Sequence, residues 1–157
     1  MKWIIFFLFV LNLAQAAPRK ELPSGDLAQV HQVLILNDQL FSALIKNDFK
    51  AAEPKAKELK KALDQTRIEV LKPVRAGASE LDAFKASAEK ENNLALYEKF
   101  LNPLIQVVKS YKVDSKYNIF SCPMVKKSWI QNTSVHQDVR NVYATYMLEC
   151  GTQDSKY

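Results

Sequence analysis

Apolar residues recur at helical spacing over four stretches of the chain, and that spacing is lost in the last quarter. Between Asp26 and Lys46, residues Leu27, Val30, Leu34, Phe41, Leu44 and Ile45 share one face and predict an amphipathic helix, with Asp26 placed to cap it. Asp48 to Arg67 repeats the theme with Ala52, Ala56, Leu59 and Leu63 opposite a lysine-rich face. Asp48 is its natural N-cap, and Pro54 must fall in its first turns. Ile68 to Lys90 is helical in propensity but interrupted at Pro73 and Gly77. A break is expected near 73–78, then a helix holding Leu81, Phe84 and Ala88, opened by Ser79 with Asp82 at capping-box spacing. Asn93 to Tyr111 places Leu94, Tyr97, Leu101, Leu104, Ile105 and Val108 on one face. Asn92 or Asn93 is expected as its cap and Pro103 as a bend.

Beyond Tyr111 the pattern changes. Tyr117–Ser121 is short and aromatic and reads as a candidate strand, Ser128–Ile130 as a second, and Val139–Leu148 fits neither type by pattern alone. Four helical segments with short connections predict an all-α fold: an antiparallel four-helix bundle carrying a small irregular, β-containing C-terminal lobe over 117–151. One domain then spans 26–151. Residues 17–25, with Pro18, Pro23 and Gly25 among mixed charges, read as a flexible leader, and 152–157 as a tail that frays.

The first residues have a different character. Lys2 is followed by an apolar run from Trp3 to Leu13 and by Ala14-Gln15-Ala16, a small-x-small cleavage pattern. The run, about eleven residues, is well short of the roughly 20 that a membrane-spanning helix requires. Residues 1–16 therefore read as a signal peptide cleaved near Ala16 or Ala17, which makes the mature chain periplasmic or secreted and not membrane-spanning. The sequon Asn132-Thr133-Ser134 would matter only on a eukaryotic secretory route.

Composition narrows the function classes. With 48% hydrophobic and 25% charged residues in 157, the chain is neither a disordered tail, a collagen nor a disulfide-dense toxin. Its three glycines are isolated, which excludes a glycine-rich phosphate loop or a dinucleotide fingerprint. The net charge of +5 comes from interspersed acids and bases. It suits contact with anionic lipid or an acidic partner, and for an exported chain no nucleic-acid partner is expected. No Ser-His-Asp grouping stands out along the sequence, so the chain is read as non-enzymatic. His31, between apolar positions on the first helix, reads as a structural histidine.

Sulfur is the feature that carries chemistry. Apart from the initiator, the methionines and cysteines fall in two clusters, Cys122-Pro123-Met124 and Met147-Leu148-Glu149-Cys150. Two residues apart on a strand, Cys122 and Met124 point to one side; three apart on a helical turn, Met147 and Cys150 share a face. Thiolate with thioether is a soft ligand set that suits Cu(I). Trp129 is a candidate cap over a bound cation and His136 a candidate further ligand. The competing reading is a Cys122–Cys150 disulfide, the default for an even pair in an oxidising compartment, which consumes both thiolates.

The stretch from Tyr117 to Gly151 resembles the C-terminal signature of a bacterial domain-of-unknown-function family (number 3347). The resemblance is carried by Cys122-Pro123-Met124, Trp129, Val139-Arg140-Asn141, Tyr143 and Met147-Leu148-Glu149-Cys150-Gly151, with Asp48-Phe49-Lys50-Ala51-Ala52 opening the second helix. Val142 stands where the family pattern has proline, and the glycine expected after Tyr143 is missing. The family occurs as exported proteins and as a module on adaptors of heavy-metal efflux systems. The resemblance thus implies copper handling, with an efflux component or another periplasmic protein as partner. Two functions stand side by side: soft-metal sequestration or delivery through Cys122, Met124, Met147 and Cys150, and a structural or protein-interaction module stapled by the disulfide.

Overall fold

The computed structural model describes residues 18–144 and 146–157. The proposed signal peptide and its cleavage point lie outside the described residues.

The first helix, α1 (Ser24–Ile45), starts ahead of Asp26. Pro23 occupies its cap position, and no side chain caps it. Helix α2 (Phe49–Gln65) is capped by Asp48, whose carboxylate accepts the Ala51 N–H at 2.9 Å. Its buried face, Ala52, Ala56, Leu59 and Leu63, is small enough toward the N-terminus for close packing on α1. Helix α4 (Lys90–Ser110) completes the layer with Tyr97, Phe100, Leu101, Leu104 and Val108. Inside the core the Tyr97 hydroxyl donates to Asn37 of α1 at 2.9 Å, which satisfies both buried groups.

The third helical segment is largely broken up. A 3-10 turn (Glu69–Leu71) leads into a short α3 (Lys72–Gly77), with Pro73 in its first turn, and a second 3-10 turn (Ala78–Ala83) follows. The helix expected around Leu81, Phe84 and Ala88 does not form. Instead Asn93 accepts the Lys85 N–H and donates to the Lys85 carbonyl, so it anchors an irregular crossing rather than capping a helix. Glycine at 77 has a tertiary cause in α4. Pro103 has no N–H, so the Lys99 carbonyl one turn back loses its helical donor. Gly77 lies against that carbonyl and the Pro103 ring, where a Cβ would overlap the backbone.

The all-α expectation is overturned by a three-stranded antiparallel sheet of order β2-β1-β3. Strand β1 (Tyr117–Cys122) pairs with β2 (Lys127–Asn132), with Ile119 opposite Ile130 and Phe120 opposite Trp129. On its other side β1 pairs with β3 (Thr152–Gln153). The sheet belongs to the core rather than to an appendage: Tyr117, Ile119, Phe120, Trp129 and Ile130 are buried in one cluster with the helices. The architecture is therefore α+β, three long helices packed with a sheet.

The tail expected to fray covers the free edge of β1. The Asp154 N–H donates to the Ile119 carbonyl, and the Ser155 hydroxyl oxygen accepts the Ile119 N–H, both at 2.8 Å. At the other terminus, Lys20 exchanges 2.8 Å backbone bonds with Ser110 and Lys112. Arg19 stacks 3.5 Å over the Tyr157 ring. Among the described residues no helix is long and apolar enough to cross a membrane.

Candidate functional site

Cys122 ends β1, and Cys150 precedes β3 by one residue, Gly151. Register places Ser121 opposite Thr152, so the two cysteines fall just beyond the last pair, on adjacent segments of the chain. Their Cα atoms are 5.8 Å apart, and the sulfurs are joined in a disulfide. That separation is ordinary for the bond. Neither sulfur is a thiolate in this state. Cys122 is buried and Cys150 only partly exposed.

The other candidate ligands are spread out. Met124, in the turn between β1 and β2, is 68% exposed. Met147 is half-buried in the loop leading to Cys150 and lines a surface cleft of about 350 Å³ with Arg140, Tyr146, Leu148 and Glu149. The Cys150 N–H donates to the Met147 carbonyl at 2.9 Å, which keeps these two residues within one turn. Trp129 does not offer its face to solvent. It is fully buried, stacks on Phe120 with ring centres 6.0 Å apart, and meets Gly151 with its outer edge. Among the described residues, no three His, Cys, Asp or Glu side chains gather as a metal cluster.

Two buried amides hold the lobe together. Asn141 closes the loop that carries Cys150. Its side-chain amide donates to the Cys150 carbonyl at 2.8 Å, its backbone N–H donates to the Leu148 carbonyl at 2.7 Å, and its side-chain oxygen accepts the Tyr143 N–H at 2.9 Å. Gln131 of β2 fastens the segment before that loop. It donates to the carbonyls of His136 and Asp138, both at 2.8 Å, and accepts the Arg140 N–H at 3.0 Å. Neither residue type marks an interior position by itself, and only burial reveals the role of Asn141 and Gln131.

His136 is drawn to α1. Its Nε2 lies 3.0 Å from the Ser42 hydroxyl and 3.8 Å from Asp38 Oδ1, and its ring meets the Phe41 ring edge-on at 5.4 Å between centres. Asp38 Oδ2 accepts from the Asn132 amide at 3.3 Å, whereas Oδ1 is buried with no hydrogen-bond partner among the described residues. Burial raises the Asp38 carboxyl above its ordinary value, opposed by the Asn132 hydrogen bond and by the charges of His136 and Lys116. Burial likewise lowers the His136 imidazole. Asp38 opposes that shift, and Arg140 and Lys46 add to it.

Folding thus brings His136 to Asp38 and Ser42, which lie one turn apart on α1 and far from it in sequence. Both partners, however, address the same ring nitrogen. A nucleophile relay needs the carboxylate on the other nitrogen, so the geometry is not that of an activated serine. The same contacts bear on the sequon: the Asn132 amide is 6% exposed and engaged with Asp38, out of reach of a glycan transferase once folded.

Comparisons with protein-family models, with curated proteins and with solved structures find no match to this chain.

Proposed function

We propose that this chain is an exported, non-enzymatic module whose C-terminal lobe is a disulfide-stapled platform for contact with another protein. The observation that carries the reading is the Cys122–Cys150 bond, formed across the register of β1 and β3. A disulfide of this kind persists in an oxidising compartment, in keeping with the apolar leader read from the sequence. Beside the staple stands an apolar tip, with Tyr146 78% and Leu148 36% exposed, on a loop whose neck Asn141 holds shut. The test is a thiol count on the secreted chain, unfolded without reductant. No free thiol is expected; two free thiols overturn the proposal.

Soft-metal binding is the second reading, and it applies to the reduced chain. It is favoured by the single turn that keeps Met147 beside Cys150. On that reading Cys122, Cys150 and Met147 supply sulfur, Met124 joins only if the β1–β2 turn rearranges, and Cu(I) is the cargo. The resemblance to family 3347 would place the partner in a heavy-metal efflux assembly. Titration of the reduced chain with Cu(I), in competition with a chromophoric chelator, tests it. Met147→Leu should weaken binding, and absence of binding by the reduced wild type would discard this reading.

A further inference from the structure

We propose that His136 is a proton-operated clasp between α1 and the segment that follows β2, exchanging Ser42 for Asp38 as the partner of Nε2 when the ring is protonated. In the neutral state of the proposed clasp the ring carries its proton on Nδ1, and Nε2, 3.0 Å from the Ser42 hydroxyl, accepts from it. In that state Asp38 Oδ1, 3.8 Å from the same nitrogen, has no donor among the described residues. A proton taken from solvent onto Nε2 removes the lone pair that Ser42 was using. The new N–H can then turn on the waiting carboxylate oxygen, a charge-assisted bond. The freed Ser42 hydroxyl, on a helix, can turn back to a carbonyl of the preceding turn.

The segment that moves with the ring is short and well tethered. The His136 N–H donates to the Asn132 carbonyl, and its own carbonyl accepts from Gln131, so the ring can shift while its backbone stays attached. Other charges facing the pair set how readily the proton is taken. Lys46 on α1 and Arg140 in the segment oppose it. On the Asp38 side Lys116 helps keep the carboxylate ionised, and the phenols of Tyr117 and Tyr97 lie near enough to feel its charge. The clasp is independent of the disulfide, so it holds whichever reading of the sulfur cluster is right.

The test is a nitrogen-15 NMR titration of the imidazoles in the full chain. There are only two histidines, and His31→Gln assigns the signals. In the wild type, the neutral His136 ring should show the Nδ1–H tautomer and convert to the doubly protonated form on acidification. Ser42→Ala should raise its titration midpoint, and Asp38→Asn should lower it by about 1 pH unit, the scale of losing one nearby opposite charge. A neutral ring with its proton on Nε2 would overturn the clasp, as would midpoints that move in the same direction in both variants. Should Asp38→Asn fail to fold, the wild-type tautomer and the Ser42→Ala midpoint still decide the matter.

Discussion

The side-chain amide of Asn141 donates to the carbonyl of Cys150 at 2.8 Å, so the loop that brings Cys150 to Cys122 is also closed without the disulfide. The two devices act on different states. The covalent bond restricts the unfolded chain over a sequence separation of 28, and the amide satisfies backbone groups in the folded one.

Removing the disulfide should therefore lower stability without dissolving the lobe. Cys122→Ser/Cys150→Ser is expected to lose about 3.5 kcal/mol on the chain-entropy account, and Cys122→Ser alone should lose as much. Urea denaturation with and without reductant measures both. Reductant should destabilise the wild type and leave the double variant unchanged.

Asn141→Ala deserves comparison with that pair. It leaves the Cys150 carbonyl and the Tyr143 N–H without partners, at a cost of about 1–3 kcal/mol. Because the loop neck then depends on the disulfide alone, limited proteolysis between Tyr143 and Glu149 should quicken sharply when reductant is added, and much less so in the wild type.

Glycine at 77 is required by its neighbour. A methyl group there would press into the Lys99 carbonyl and the Pro103 ring. Gly77→Ala should cost about 1–3 kcal/mol, the range for forced overpacking, although alanine is the better helix former. An alanine variant as stable as the wild type by thermal melting would show that α3 can move aside.

Acid and alkali should each weaken the fold through identifiable groups. His136 is held below its ordinary 6.5, so the neutral ring favours folding. Its contribution is present above 6.5 and is lost as pH falls from there through the lowered value of the folded state. His136→Gln should flatten the stability profile on that side. Tyr117 is pushed up from 10.0 to about 12 by burial first and then by Asp38 and Asp114. A raised acid favours folding below the unfolded value and loses that contribution as pH rises from 10.0 towards about 12. Tyr117→Phe should blunt the alkaline loss in a denaturation series followed by circular dichroism.

The sequence by itself determined the three long helices, because a 3.6-residue apolar period and the Asp48 cap are local signals that burial only confirms. It also placed two cysteines for which a disulfide was one of three open outcomes, beside a sulfur metal site and free buried thiols. The sheet was undercounted for a physical reason. β1 and β2 were legible as the candidate strands Tyr117–Ser121 and Ser128–Ile130, but only their burial shows that they join the core. Thr152–Gln153 is too short to signal a strand without its partner. Only the tertiary structure decided that Cys122 and Cys150 flank a shared register. It alone buried Trp129 away from any surface ligand, turned Asn141 and Gln131 into interior fasteners, and set His136 against Asp38 and Ser42. Each of these depends on which distant segments become neighbours, and a linear pattern of residue types does not carry that information.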